Sequence, residues 1–397
     1  MEVFMCKKIL FLSILLLFTQ CTSETVVPGI ETPPPLENVL TLELSFGADE
    51  ENIKEEFLLA IPYGIEVNDD NDILVTDENR IKIFDSDGKE KMIIGGTGEG
   101  PGEFSYIRKP FLSPTGYLTV NDGRTAEEFN LFSPEYEFLS RLRFMFLPSC
   151  KIVKQRYNYT GIELGQPFKI VSMDEKERIF SANASRGRGD SGQKFDILVY
   201  DRPDTTLLLA EYIETNSIVV GIGGHTFPNL GRLLWEVLPD RRILYIHTGH
   251  DKILSDNKAT YILNVVSMDN LETNHIKHTY TPIEISDSDM GEYKKFPDLK
   301  PVADFLKEKK YWAPLQKLLI DGYTLFALTL KNNEKGEIFT DVFDLQSGTY
   351  MKSVYFPEYF KFEIEIIKNG YAYRTAKNEE GFYIIEKYKI DPAVYGN

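Results

Sequence analysis

Apolar and polar residues alternate along this chain in short runs separated by Gly, Pro, Asn and Asp, and the clearest stretch is 61–104. Residues 64–67 read as a short strand, and the Asn/Asp run 68–72 as a turn. Residues 73–77, Ile-Leu-Val-Thr-Asp, predict a second strand, with Glu78-Asn79 as a tight connection. Residues 80–85, Arg-Ile-Lys-Ile-Phe-Asp, alternate with a period of two, which predicts a half-buried strand. Ser86-Asp87-Gly88-Lys89 is hairpin-turn chemistry, with glycine supplying the positive φ, and 91–94 is a fourth strand. Four antiparallel strands in about 40 residues is the unit of a β-propeller blade.

The unit recurs. Residues 110–113, 117–122, 128–133 and 137–144 make a second, and 168–173, 179–184, 195–201 and 207–213 a third. The fourth is 232–238, 243–248, 260–267 and 275–281; the fifth is 315–320, 323–330, 339–345 and 350–356. The sixth shows only three strands, 362–367, 371–375 and 382–390. A cleanly alternating strand at 39–46 precedes the first unit without a partner there. Placed as the outer strand of blade six, it closes the ring and leaves no ragged sheet edge. The expected fold is therefore all-β, a six-bladed β-propeller over 38–397 with 3+1 closure by an N-terminal strand. The alternative for the same strands is a β-sandwich or two smaller sheets. Residues 286–310 interrupt the pattern, and 304–310 predict a short, charged helix on the surface.

Lys7 and Lys8 precede the apolar run 9–18, which is too short for a stable membrane span and fits a secretory signal. Cys21 follows as in a bacterial lipoprotein cleavage site, although Phe18 and Gln20 stand where Leu and a small residue are usual. Residues 1–20 are expected to be a lipoprotein signal peptide and Cys21 the lipidated residue. Residues 21–37, stiffened by Pro28 and Pro33-Pro34-Pro35, then tether the propeller to the outer membrane, on its periplasmic or surface face. The other reading is an ordinary cleaved signal, with Cys21 lost or free.

Composition narrows the picture. Of 397 residues, 42% are hydrophobic and 26% charged, which excludes disorder for most of the chain. The 22 Tyr and 26 Phe favour a β-rich fold. A net charge of −17 argues against nucleic acid as a partner. Three cysteines build no disulfide framework, and Cys150, in an apolar stretch, reads as a small buried hydrophobe.

Tyr63-Gly64-Ile65-Glu66-Val67, then 73–77, then 79–85 with Asp87-Gly88-Lys89, resemble an NHL repeat. With the glycine-rich run 95–104 that follows, residues 61–145 resemble the six-bladed β-propeller lipoproteins of Gram-negative bacteria. Residues 341–344 carry a second match, and blades three and four match loosely. The resemblance implies a six-bladed propeller in the cell envelope and no particular substrate. NHL-like propellers bind protein, peptide or RNA, and relatives of similar shape are lactonases or lyases. Calcium-dependent lactonases on six-bladed folds carry Glu, Asn and Asp in the central channel; no such set aligns here by motif.

No catalytic motif is visible. The run 95–104 lacks the Gly-Lys-Ser/Thr ending and following helix of a phosphate loop. The Asp-rich segments 68–72 and 85–88 lack the ligand alternation of a calcium loop and read as turns. All five histidines fall between 225 and 278, with His247/His250 and His275/His278 each three apart. Residues three apart on a strand point to opposite faces, so His247 and His250 converge only if a strand ends between them. No metal is assigned to them. Loops joining second to third strands, and blade to blade, open on one face. That face collects Asp77, Asn79, Arg80, Asp122, Arg124, Arg186, Arg188, Asp190, His250, Asp251, Lys331, Asn332, Arg374 and Asn378. The five arginines reverse the sign of an acidic protein and can fork onto carboxylates or sugar acids. Alternatively, each pairs with a carboxylate on its own or the next blade. The expected function is a lipid-anchored binding or scaffold protein, without cofactor or catalytic residue. It would present Arg80, Arg124, Arg186, Arg188, Arg374, Asp77, Asn79, Asp122 and His250 to a peptide, glycan or partner protein. The alternative is a lactonase-like hydrolase or lyase using a divalent cation such as calcium in the central channel.

Overall fold

In the computed structural model, Ile73 and Val75 enter one apolar cluster while Leu74, between them, enters another. Successive side chains of a strand point to opposite faces, so a strand held between two neighbouring blades must be apolar on both. Ile73–Asp77 and Leu118–Asp122 are accordingly buried at every position. The structure describes residues 33–48, 53–123, 127–164, 169–187, 193–220, 223–255, 258–357 and 363–396. Pro34–Asn397 forms one unit. The signal peptide 1–20, Cys21 and most of the tether lie outside the described residues.

The protein is an all-β, six-bladed β-propeller. Blade one is Pro62–Val67, Ile73–Asp77, Arg80–Phe84 and Glu90–Gly95; blade two is Ile107–Leu112, Leu118–Asp122, Glu128–Phe132 and Phe138–Arg143. Blade three is Ile170–Ser172, Arg178–Arg186, Gln193–Asp201 and Thr206–Ile213, with Gly161–Leu164 added on its second strand. Blade four is Leu233–Val237, Arg242–His247, Lys258–Ser267 and Thr273–Tyr280, with Lys252–Ser255 added on its third. Blade five is Leu315–Asp321, Thr324–Asn332, Ile338–Asp344 and Thr349–Phe356. Blade six is Ile366–Lys368, Tyr371–Lys377, Tyr383–Ile390 and, as its outer strand, Leu40–Phe46. That last strand runs antiparallel to its partner, Leu40 opposite Ile390 and Phe46 opposite Ile385, with an irregularity between Leu42 and Leu44.

The core is a ring of six separate clusters, one between each pair of neighbouring blades. Phe46 seals the seam between blades six and one, its ring 4.9 Å from that of Phe84. Gly88 serves this seam twice: its φ is +75°, and a Cβ there would stand 2.7 Å from the Phe46 ring. Two-sided packing also changes one expectation. The alternation at 80–85 predicts a solvent-facing Lys82, yet Lys82 is 1% exposed, and its ammonium donates to the Leu58 carbonyl. Its ammonium meets Asp77 at 2.6 Å, the partner that a charge taken out of water requires.

Three features lie outside the blades. Helix Pro148–Arg156 turns Cys150 and Val153 into the seam between blades two and three, and burial pushes the Cys150 thiol up to about 12. A hairpin pairs Ser217–Val220 with Gly223–Thr226. Helix Lys300–Lys309, expected as a charged surface segment, is amphipathic: Val302, Ala303 and Leu306 are buried, the last two in a satellite cluster with Leu230 and Met290. Among the described residues no helix is long and apolar enough to cross a membrane.

Ring closure yields a direct test. Deleting 38–47 removes Val39 and Phe46, each worth about 1.5–3 kcal/mol of buried apolar surface, and bares the edge of Tyr383–Ile390. The variant is expected to lose several kcal/mol in denaturant unfolding and to aggregate by light scattering. An unchanged midpoint would show that the ring does not depend on this strand.

Candidate functional site

The loop face is built first from buried carboxylates. Asp77 ends the second strand of blade one, is fully buried, and accepts the backbone N–H of Ala60 (3.1 Å) and Ile61 (2.5 Å). Asp122 holds the same place in blade two and accepts from Ser105 and Tyr106, both at 2.9 Å. Asn79, with φ at +61°, accepts the Ile107 N–H at 2.9 Å and donates to Thr97. These three sequence candidates therefore hold the chain entering the inner strands of blades one and two, and neither aspartate is open to a ligand.

The arginines divide. Arg186 pairs with Glu211 of its own blade at 2.7 Å, and its guanidinium lies over the Tyr159 and Phe195 rings. Arg374 pairs with Glu386 on the adjacent strand at 2.6 Å. Both follow the within-blade alternative rather than an open rim. Arg80 is half-buried and has no ion-pair partner among the described residues. Arg124 and Arg188 lie outside the described residues, as does Asp190.

The histidines do meet in part. The strand Arg242–His247 ends at His247, the chain turns, and the His247 and His250 rings come to 4.6 Å. His247 is fully buried, with Nε2 at 3.0 Å from Asp196, while Nδ1 accepts the Gly249 N–H. His250 stacks on Tyr212 and bonds the Ile213 carbonyl at 2.7 Å; burial pulls its pKa down. His275 bonds Asn264, and His278 stacks on Tyr350, 3.5 Å from Asp341. Among the described residues no three His, Cys, Asp or Glu side chains are grouped to hold a metal ion.

Chemistry unnoticed in the sequence lies in the central channel, a cavity of about 720 Å³ lined by the six inner strands. Its charged groups mostly bridge blades. Lys169 bonds Glu236 at 2.7 Å and lies over the Trp235 ring; Lys317 bonds Glu363 at 3.2 Å; Lys368 meets Asp69 at 2.5 Å. These pairs span the seams between blades three and four, five and six, and six and one. At the seam between blades one and two, Glu66 and Lys109 both line the channel, and neither has an ion-pair partner among the described residues. Burial pushes the Glu66 carboxyl up to about 8, with Lys169 opposing and Glu236 adding to the rise; the Leu112 backbone also bonds it. Near Lys109, the Tyr63 and Tyr106 rings stand 5.9 Å apart, and the Arg108 guanidinium covers Tyr106 at 5.2 Å. The only signal in the sequence was that charged residues recur within inner strands.

A sequence family described as a 6-bladed beta-propeller, DUF5128, matches residues 52–185, which cover blades one and two and the start of blade three. No curated protein matches the chain. Among solved structures, a Bacteroides fragilis protein aligns at 12% identity over 90% of this chain and 97% of its own, with a TM-score of 0.44. A gluconolactonase from Xanthomonas campestris aligns at 9% identity over 90% and 98%, with a TM-score of 0.38. A streptogramin B lyase aligns at 12% over 88% and 98%, with a TM-score of 0.34. At these scores the likenesses carry nothing about ligand or chemistry.

Glu66 makes stability depend on pH in a defined direction. The folded chain holds a proton on Glu66 that the unfolded chain releases, between about 4.5 and about 8. Its contribution therefore falls as pH rises through that window. Glu66→Gln lacks this contribution, so the variant is expected to gain stability relative to the parent from the lower to the upper end of the window. Urea unfolding at several pH values measures it; a constant difference across the window would mean that Glu66 ionises normally.

Proposed function

We propose that this protein is a cell-envelope binding protein, lipid-anchored through Cys21 at the outer membrane, that takes a small polar ligand or the end of a larger chain into its central channel. One observation carries the reading: Glu66, whose carboxyl burial pushes up to about 8, and Lys109 both line the channel, and neither has an ion-pair partner among the described residues. A carboxyl with a strongly perturbed proton affinity, set beside a cation in a concave site, is a signature of function. The ligand is a glycan, a peptide or a segment of a partner protein. The rim arginines contribute less than their number suggested, since Arg186 and Arg374 are engaged within their blades.

Two experiments test this. Cys21→Ala is expected to move the protein out of the membrane fraction or leave it unprocessed; unchanged fractionation with unchanged mass removes the anchor. A saccharide and peptide screen by ligand-detected NMR is expected to yield a binder that Glu66→Gln or Lys109→Ala weakens at least about fivefold, roughly 1 kcal/mol. A binder indifferent to both variants, or turnover of a lactone that requires added calcium, would replace this reading.

A further inference from the structure

We infer that the seam between blades two and three carries a membrane-docking patch, in which Met145, Phe146 and Ile152 enter the surface of an anionic bilayer while Lys151 and Lys154 meet its headgroups. Residues 138–162 hold five basic residues and no Asp or Glu, in a chain of net charge −17. The turn Phe144–Phe146 and the helix Pro148–Arg156 lie within this stretch. Phe144, Leu147, Cys150 and Val153, three apart, all enter the apolar cluster of the seam. The Phe144 carbonyl accepts the Leu147 N–H at 3.0 Å and the Cys150 thiol at 3.2 Å, which folds the turn against the start of the helix. The same spacing turns Met145, Phe146, Lys151, Ile152 and Lys154 outward, and all of them are exposed.

Phe146 is 78% exposed and its neighbour Met145 50%, so two large apolar side chains stand next to each other in solvent. Single exposed apolar residues are ordinary, but adjacent ones projecting from a turn mark a contact surface. Cations are available beside them. Arg143 is paired with Glu128 at 2.9 Å, and Arg141 donates to Asn130 and to the Glu103 carbonyl. Lys151 and Lys154, by contrast, have no ion-pair partner among the described residues. Arg156 donates to the Thr206 carbonyl at 2.7 Å, a bond that leaves its charge uncancelled.

Apolar groups beside unpaired cations fit a bilayer surface that bears anionic headgroups. A soluble polyanion would engage the lysines and leave Phe146 and Met145 in water. An interface takes both together, with apolar side chains at the acyl boundary and ammonium groups at the level of the phosphates. The acidic remainder of the protein does not forbid the approach. At physiological salt, charges are screened beyond about 8 Å, so the nearest groups set the local sign. The inference stands apart from the channel and does not require a lipid on Cys21. A tether would only raise the local concentration of the patch at the bilayer and let a weak contact count.

The test uses the full chain with Cys21→Ala, so that no lipid is carried and residues 1–20 are the same in every sample. Co-sedimentation with vesicles of phosphatidylglycerol and phosphatidylcholine is expected to exceed that with phosphatidylcholine alone at least about fivefold, and to weaken as salt rises. Phe146→Ser, and separately Lys151→Gln with Lys154→Gln, are each expected to lose at least about fivefold in affinity for the anionic vesicles at an unchanged melting temperature. Lys151→Arg with Lys154→Arg is expected to retain it. The fluorescence of Phe146→Trp is expected to be quenched by brominated acyl chains in anionic vesicles, and that of the parent is not. Equal binding to both kinds of vesicle, a Phe146→Ser variant that binds as the parent does, or absent quenching overturns the inference. Self-association, or retention of an acidic protein, that Phe146→Ser abolishes while no sample binds vesicles would make the patch a protein interface and overturn it too. Each of these outcomes leaves the channel reading where it stands.

Discussion

Two carboxylates taken fully out of water, Asp77 and Asp122, are compensated by backbone N–H groups of the chain entering the inner strands of blades one and two. Asp77 accepts from Ala60 and Ile61, and Asp122 from Ser105 and Tyr106. Asp321 applies the same chemistry between blades, accepting from Asn369 N–H, Gly370 N–H and the Tyr395 hydroxyl. A buried carboxylate that loses its partners costs about 3–5 kcal/mol, so Asp77 and Asp122 hold their places only while these donors are present. The inner strands of blades one and two, and with them that side of the channel, are positioned by these contacts.

Much of the fold was legible because the second strands of the blades feed two different cores. A run such as Ile73-Leu74-Val75 is continuous in sequence yet divides its side chains between two seams. The closing strand was legible for another reason: 39–46 alternates with no partner nearby, and blade six lacked an outer strand. What alternation could not reveal is which polar residue of a strand meets water. Lys82 fits the solvent-facing pattern and is buried, its ammonium held by the Leu58 carbonyl and the Asp77 carboxylate. Helix Pro148–Arg156 carried signals that were available, a proline at its first position and Cys150 and Val153 three apart.

The candidate site was less legible, for a geometric reason. Glu66, Lys109, Lys169, Glu236 and Lys317 come from five inner strands, and nothing local distinguishes them from surface charges. They converge only when a sixfold ring brings those strands around one axis. The arginines gave the opposite error. Arg186 and Arg374 stand out by sign in an acidic chain, but each has a glutamate in its own blade. Charge contrast along a sequence locates basic residues without saying whether a neighbour has already neutralised them.

The closing strand also orders events in time. Leu40–Phe46 is synthesised before any other described strand, yet its partner Tyr383–Ile390 is among the last. Contacts between such distant segments slow folding, because loop-closure entropy is lost before the contact is gained. A linear repeat protein can grow outward from any stable unit. This ring cannot, since blade six lacks its outer strand, and the seam between blades six and one stays open, until Leu40–Phe46 meets Tyr383–Ile390. Assembly therefore behaves like a clasp: five blades can organise in sequence, and one late encounter between the chain's two ends converts a row of sheets into a closed circle.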